Sequence, residues 1–239
     1  MKKIGLILLS ALILAGCSKD LGEDIAYLEE HWAEVSQGDE NEPIVFPSEV
    51  FPEIWAQVGD LESRFRVFNV PSGILGMKTT RALGQSILHY PMNYLILTYN
   101  YYDLPVKMVY ERSNLHRELA ARPDAAEELI RIFGETRIDV GINNSTGYSD
   151  ITLQDGLFLE LFLGTGLVSG LDSRANKAEL KAIVERKRDE RLAHKETFSD
   201  LSLIPLAYMN ERLGLGIRFD DTIVETMHAF TMGDKLFGK

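Results

Sequence analysis

Residues 103–134 read DLPVKMVYERSNLHRELAARPDAAEELIRIFG, and this stretch decides the fold class. Leu104, Met108, Leu115 and Leu119 fall on one side of a 3.6-residue spiral, as they must if a helix is to bury one stripe. Asp103 stands where an N-cap would accept the first free N–H groups, and Pro105 is tolerated in a first turn. Pro123 then opens a second helix with Glu127 and Glu128 near its positive end and Gly134 past its last apolar residue.

Upstream, the same signals recur. Thr79 or Thr80 caps a helix carrying Leu83, Ile87 and Tyr90 that stops at Pro91. Ile54, Val58, Leu61, Phe65 and Phe68 form another stripe, ended by Pro71, and Leu21, Ile25, Leu28, Trp32 and Val35 a third. That third stripe is shorter than a coiled coil needs, so it is expected to dock on its own domain, with Trp32 and Trp55 in the core. Residues 37–49, with Gly38, Pro43 and Pro47, read as a loop.

Downstream, residues 139–150 (DVGINNSTGYSD) form a polar loop. An apolar helix capped by Asp150 follows over 151–163. Asp172 or Ser173 caps a long charged helix to about Lys195, and Ser199 or Asp200 caps the next, bent or split at Pro205 and closed by Gly214. Residues 217–230 are rich in Ile, Val, Thr and Phe without a period, which predicts a short strand pair or an irregular packed tail. With short connections and no βαβ alternation, the expected fold is all-α, a helical array.

The chain has 239 residues, 45% hydrophobic and 26% charged, with one Cys. These values exclude a disordered chain and a disulfide-stapled mini-domain. Lys2 and Lys3, an apolar run over 4–14, and Leu14-Ala15-Gly16-Cys17 make up a secretory leader. The run is too short to span ~30 Å of hydrocarbon. With Cys17 directly after the cut, the segment resembles a bacterial lipobox, which implies diacylglyceryl attachment to the Cys17 sulfur. More than one acyl chain is what stable anchoring takes. The expected organisation is a leader over 1–16, an acidic anchor-proximal helix and linker over 17–49, and a helical domain over 50–239.

Between Asp20 and Ser63 there are thirteen Asp or Glu residues and no Lys or Arg, whereas residues 64–239 hold 23 acids and 22 bases. The acidity is therefore local, and reads as a hydrated spacer beside the anchor. Cys17-Ser18-Lys19-Asp20 also resembles the surface-export signal of Bacteroides-type lipoproteins. No basic face dominates, so nucleic acid is not an expected partner. The expected partners are the membrane, through lipidated Cys17, and a protein or glycan. The expected place is the cell envelope, at the outer membrane or its surface.

Catalytic patterns fail on spacing. Gly166-Leu167-Val168-Ser169-Gly170 puts its Ser one position late for a nucleophile elbow. Gly164, Gly166 and Gly170 follow a helix rather than the strand a dinucleotide loop needs, so they read as a helix-ending turn. His31, His89, His116, His194 and His228 make no H-E-x-x-H and no i, i+4 pair. His194 is expected to pair with Glu190 on a helix surface. The loop 139–150 has EF-hand length but Asn144 where Gly is required. The run Arg186–Arg191, interleaved with Asp189 and Glu190, reads as a solvated face. No metal, cofactor or catalytic residue is expected.

Val70-Pro71, Ile74-Leu75, Met77, Thr80, Leu83 and Tyr90-Pro91 form one block, and Asn114, Arg117-Glu118-Leu119, Arg122 and Asp124-Ala125 a second. Together they resemble a family of uncharacterised lipoproteins of Bacteroides-type bacteria, and the resemblance implies a HEAT-like helical array. It carries no catalytic residue, and the chain departs from the pattern at Val70 and Lys78. The blocks also have a plain structural account, with Glu118 placed to pair with Arg122 at i, i+4.

The expected function is a non-catalytic envelope interaction module, with Asn143, Asn144 and Tyr148 on the loop that would meet a partner. The alternative is a hydrolase or lyase acting on envelope or extracellular polysaccharide or peptide, whose carboxylates or histidines would converge only in the folded chain.

Overall fold

The structure, a computed structural model, describes Trp32, Val35, residues 37–50, Pro52, 59–138 and 149–237. It is mostly helical and all-α in class. Among the described residues no helix is long and apolar enough to cross a membrane.

The chain divides into two compact units, the first comprising Met1–Ser36 and Val45–Phe68, the second Gln37–Ile44 and Asn69–Lys239. In the first, helix α1 (Pro47–Val50) and helix α2 (Leu61–Val67) are described. The Asp60 carboxylate caps α2 by accepting from the Ser63 N–H at 2.8 Å, so the stripe predicted to run unbroken from Ile54 to Phe68 has a helix start inside it. Trp32 is buried as expected, and its indole N–H donates to the Val67 carbonyl at 3.1 Å. The Trp32 ring meets Phe46 edge-on, and Phe46 meets Phe68 edge-on, at 6.1 and 6.0 Å, a favoured aromatic geometry. Trp55 lies outside the described residues.

The second unit contains helices α3 (Ser72–Met77), α4 (Thr80–Ser86), α5 (Asp103–Arg112), α6 (Asn114–Ala121), α7 (Ala125–Glu135), α8 (Leu153–Gly164), α9 (Arg174–Ala193), α10 (Ile204–Leu213), α11 (Asp221–Phe230) and α12 (Asp234–Phe237). Thr79 and Ser173 cap α4 and α9 through their hydroxyls, and Gly214 closes α10 in the left-handed region at φ 62°, all three as their residue types predict. Residues 37–44 dock on this unit. The buried Lys78 ammonium donates to the Gln37 and Asp39 carbonyls, the Thr79 N–H to the Glu40 carbonyl, and the Ile44 N–H to Ser86 Oγ.

At the centre of this unit lies α8, mostly apolar and buried from Asp155 to Gly164. Such a helix has no solvent face and belongs inside a layer of others. It packs chiefly on α10, and Gly164 makes the close crossing possible. A Cβ there would meet Met209 Cα at 3.2 Å and the Tyr208 ring at 2.7 Å.

The two sequence blocks meet in space. The Asn114 side chain accepts from the Val70 N–H at 2.9 Å and donates to the Val70 carbonyl at 2.7 Å. Arg122 bonds Glu118 at 2.8 Å and donates to the Leu75 carbonyl at 3.0 Å, while Thr80 donates to Asp124 at 2.6 Å. Their joint role is to fasten α3 and α4 to α6 and the start of α7.

Several expectations are corrected. Asp103 caps nothing and instead reaches the C-terminal segment. The helix that starts there breaks at Ser113, which caps α6. The buried face of α5 is Pro105, Val106 and Val109 rather than Leu104 and Met108. Thr152, not Asp150, caps α8, because Asp150 is in a strand. The strand pair lies not in 217–230, where α11 forms, but between β1 (Thr136–Ile138) and β2 (Ser149–Ile151), parallel, with Thr136 opposite Ser149. The Arg186–Arg191 run is only partly solvated, since Lys187 and Arg191 are buried.

Candidate functional site

The first turn of α5 fastens the end of the chain. Asp103 is fully buried at the positive end of its helix, where a carboxylate is favoured. Its oxygens accept from the Met232 N–H at 2.9 and 3.0 Å and from the Gly233 N–H at 2.8 Å. The Tyr102 N–H donates to the Phe230 carbonyl at 2.9 Å, with the two rings stacked at 5.8 Å. One turn further on, Lys107 donates to the Leu236 carbonyl at 2.7 Å. Gly233 takes a left-handed φ of 52° in this turn, a conformation that glycine adopts without strain.

The pinned segment forms one wall of an open cleft of about 450 Å³, against α10 and the end of α11. Tyr208, Glu211 and Arg212 line it from α10, at i, i+3 and i+4 on one helical face, with His228 from α11 and Met232 and Lys235 from the turn. His228 Nε2 lies 3.3 Å from Glu211 Oε2, and both side chains are about half exposed. The Thr231 hydroxyl, also in the wall, donates to the Met227 carbonyl at 2.9 Å. It is thus turned to the helix end. The arrangement gathers three basic side chains and one acid around one cleft, which suits holding a ligand.

A second cleft of about 470 Å³ holds Arg188, Leu192, Arg218, Phe219 and Asp221. Its Arg188 is already bonded to Asp189 at 2.8 Å and to the Arg218 carbonyl at 2.9 Å. A third, of about 190 Å³, has Arg81 bonded to Glu135 at 2.5 Å on its rim.

The groups with the most perturbed acidity are elsewhere, in the core. His116 is fully enclosed by Tyr90, Phe158 and Phe162, and its Nδ1 lies 2.9 Å from Ser113 Oγ. Burial lowers its pKa to about 3, with a smaller contribution from the Arg117 charge, so the ring stays neutral. Burial likewise pulls Lys187 down to about 8, against the attraction of Glu160. Its ammonium donates to the Thr136 carbonyl at 2.5 Å and sits 4.6 Å above the Phe133 ring. Arg191 holds Glu160 with both ends of its fork, at 3.0 and 2.5 Å. No described cleft reaches these groups, and their partners account for them as core fastenings. Asp155 is raised by burial, bonded to Thr152 and Asn93 at the start of α8.

Cys17 and the loop residues Asn143, Asn144 and Tyr148 lie outside the described residues. His194 does not pair with Glu190 but lies 3.5 Å from Glu196. Among the described residues no group of three or more His, Cys, Asp or Glu is placed to hold a metal ion. The cleft residues escaped the sequence reading. The spacing Tyr208, Glu211, Arg212 was a detectable signal, but nothing local ties it to His228 or Lys235.

Comparison of the chain with family models, curated proteins and solved structures finds no match.

Proposed function

We propose that this protein is a lipid-anchored module of the bacterial cell envelope, with a binding rather than a catalytic role. Its anchor is the diacylglyceryl-modified sulfur of Cys17, and its working part is the helical domain. The observation that carries the reading is the leader: Lys2 and Lys3, the short apolar run, and Leu14-Ala15-Gly16-Cys17 ending on the sole cysteine of the chain. Lipidation would place the protein at the outer membrane, and the thirteen acids before Arg64 would hold the domain off an anionic surface. The reading takes in membership of the Bacteroides-type lipoprotein family that the two sequence blocks resemble. It also takes in a HEAT-like arrangement of the helices, which would present an elongated surface to a protein or glycan partner.

Binding is preferred to turnover because the described cleft gathers the basic side chains Arg212, His228 and Lys235, which suits holding a ligand. The hydrolase or lyase alternative draws on the Glu211–His228 pair, an acid–base couple that lines the cleft. Radiolabelled palmitate fed to producing cells should enter the wild type and not Cys17→Ala, and only the wild type should sediment with membranes. Crosslinking from native membranes should then recover a stoichiometric partner with the wild type alone. Unlabelled wild type would overturn the anchor. Hydrolysis of envelope polysaccharide or peptide, abolished in Glu211→Gln, would overturn the binding role.

A further inference from the structure

We propose that the second cleft, between the end of α9, the short 3₁₀ turn Asp200–Leu203 and the start of α11, binds a short apolar peptide by its two ends, the carboxylate at Arg218 and the ammonium at Asp221. The site is separate from the Glu211–His228 cleft, so the inference goes beyond the binding-module reading and does not rest on it.

The segment that leads into α11 alternates in burial. Leu215, Ile217 and Phe219 are buried, while Gly216, Arg218 and Asp220 are exposed, as in an extended chain with one face on a core. It is held at both ends. The Asn210 side chain accepts from the Ile217 N–H at 2.8 Å and donates to the Ile217 carbonyl at 3.0 Å. The Asp220 carboxylate accepts from the Thr222 N–H at 2.9 Å and caps α11. Arg218 therefore stands on a fixed backbone, and Asp221 on the first position of a helix.

Most other charges lining the cleft are already used. Arg188 is bonded to Asp189 and to the Arg218 carbonyl, and its guanidinium lies 5.9 Å from the centre of the Phe219 ring, so it forms a wall. Asp220 serves its cap, and the Thr222 N–H holds its carboxyl below the usual range, with smaller contributions from Lys195 and Arg218. The side chains of Arg218 and Asp221 are exposed, and make no hydrogen bond or ion pair with each other or with any described residue. An unpaired cation and an unpaired anion on one cleft complement a ligand that carries the opposite pair. The Arg fork matches a carboxylate with two parallel hydrogen bonds, and Asp221 accepts from an ammonium. Between them Leu192, which is exposed, and Leu203, Phe219 and Ile223 give an apolar wall for a ligand side chain. Three positions of chain reach up to about 10 Å, which suits charges separated by a peptide unit better than the adjacent charges of a free amino acid. A volume of about 470 Å³ is in the range of small-molecule sites and holds one or two residues rather than a folded partner.

Titration calorimetry on the full chain in detergent would use dileucine, dileucine amide, N-acetyl-dileucine, diglycine and free leucine. Dileucine should bind at least about tenfold more tightly than each of the other four. Arg218→Gln should erase the preference for dileucine over its amide and keep the preference over the acetylated form. Asp221→Asn should do the reverse. This crossed pattern is a ratio within each variant, so a change in stability cannot imitate it, and both side chains are exposed. No heat from dileucine up to about 10 mM would overturn the proposal. So would diglycine, leucine or either blocked form binding as tightly as dileucine, or variants that weaken the amide and the acetylated form alike. The titration is independent of lipidation and of turnover, so its failure leaves the anchor intact, and failure of the palmitate experiment leaves this cleft intact.

Discussion

Asp103 and Glu160 are both carboxylates with almost no exposure, 0% and 1%, yet they build different kinds of place. Glu160, in the middle of α8, faces the Arg191 fork from α9, and that guanidinium also donates to the Ser202 carbonyl. Charge meets charge, the surroundings are packed, and the result is a locked core. Asp103 accepts from two backbone N–H groups of a segment about 130 residues away. Its bonds fix where a terminal turn lies, and the turn in turn leaves an open cleft on its far side. A buried carboxylate paired with a cation therefore marks stability here, while one bonded to a distant backbone marks a surface being shaped.

Removing the cation should test the first half most severely. Arg191→Leu strands Glu160 without its partner and should cost about 3–5 kcal/mol in urea unfolding. The Arg191→Leu, Glu160→Leu double variant should cost clearly less than the single, since it removes both charges from the interior. A double variant as unstable as the single would show that packing, not charge, dominates there.

Acid should reach the core through His116. Its folded pKa of about 3 lies below the ordinary 6.5, so the unfolded chain binds a proton between those values that the native chain does not. The stability contribution of the neutral ring is whole above pH 6.5 and is lost as pH falls toward 3, by about 1.4 kcal/mol per unit. Urea curves for wild type and His116→Phe should converge by roughly that slope between pH 6 and 4. Parallel curves would place the acid sensitivity elsewhere.

Asp103→Ala should cost about 1–3 kcal/mol, since two partly buried N–H groups lose their acceptor. The distinguishing sign is local. Amide exchange at Met232 and Gly233 should accelerate much more than in the centre of α8. Uniform acceleration throughout the helical unit would make Asp103 an ordinary core fastening, and the contrast with Glu160 would collapse. The smallest effect is expected at Thr79→Ala, about 1 kcal/mol for a lost cap, with neither region preferentially loosened.

Local rules carried the helical parts of this chain a long way. Thr79, Ser173 and Gly214 end their helices as their residue types require, and Glu118 pairs with Arg122 at i, i+4. The same rules misplaced Asp103 and Asp150, because a carboxylate before an apolar run looks like a cap whether it turns to its own helix or away. In the charged stretch of α9, Lys187 and Arg191 extend the buried stripe of Leu180, Ile183 and Val184 at i+7 and i+11. Periodicity counts only apolar residues, so that continuation was invisible to it. His116 escaped for a related reason: a neutral imidazole packs as an aromatic ring, and nothing in its neighbours along the chain reveals Tyr90, Phe158 and Phe162 around it.

The all-α class, many helix starts and stops, the local acidity before residue 64 and the expectation of a lipid anchor at Cys17 were all legible along the chain. Those depend on spacing over a few residues, on caps, and on composition, which act within one or two turns of chain. Folding alone set which charges are buried, that the two sequence blocks clasp each other, and that residues from α10, α11 and the last turn line one cleft. These depend on contacts between segments up to about 130 positions apart. Their energy comes from desolvation and hydrogen bonding in the folded interior, which no short stretch of sequence can register.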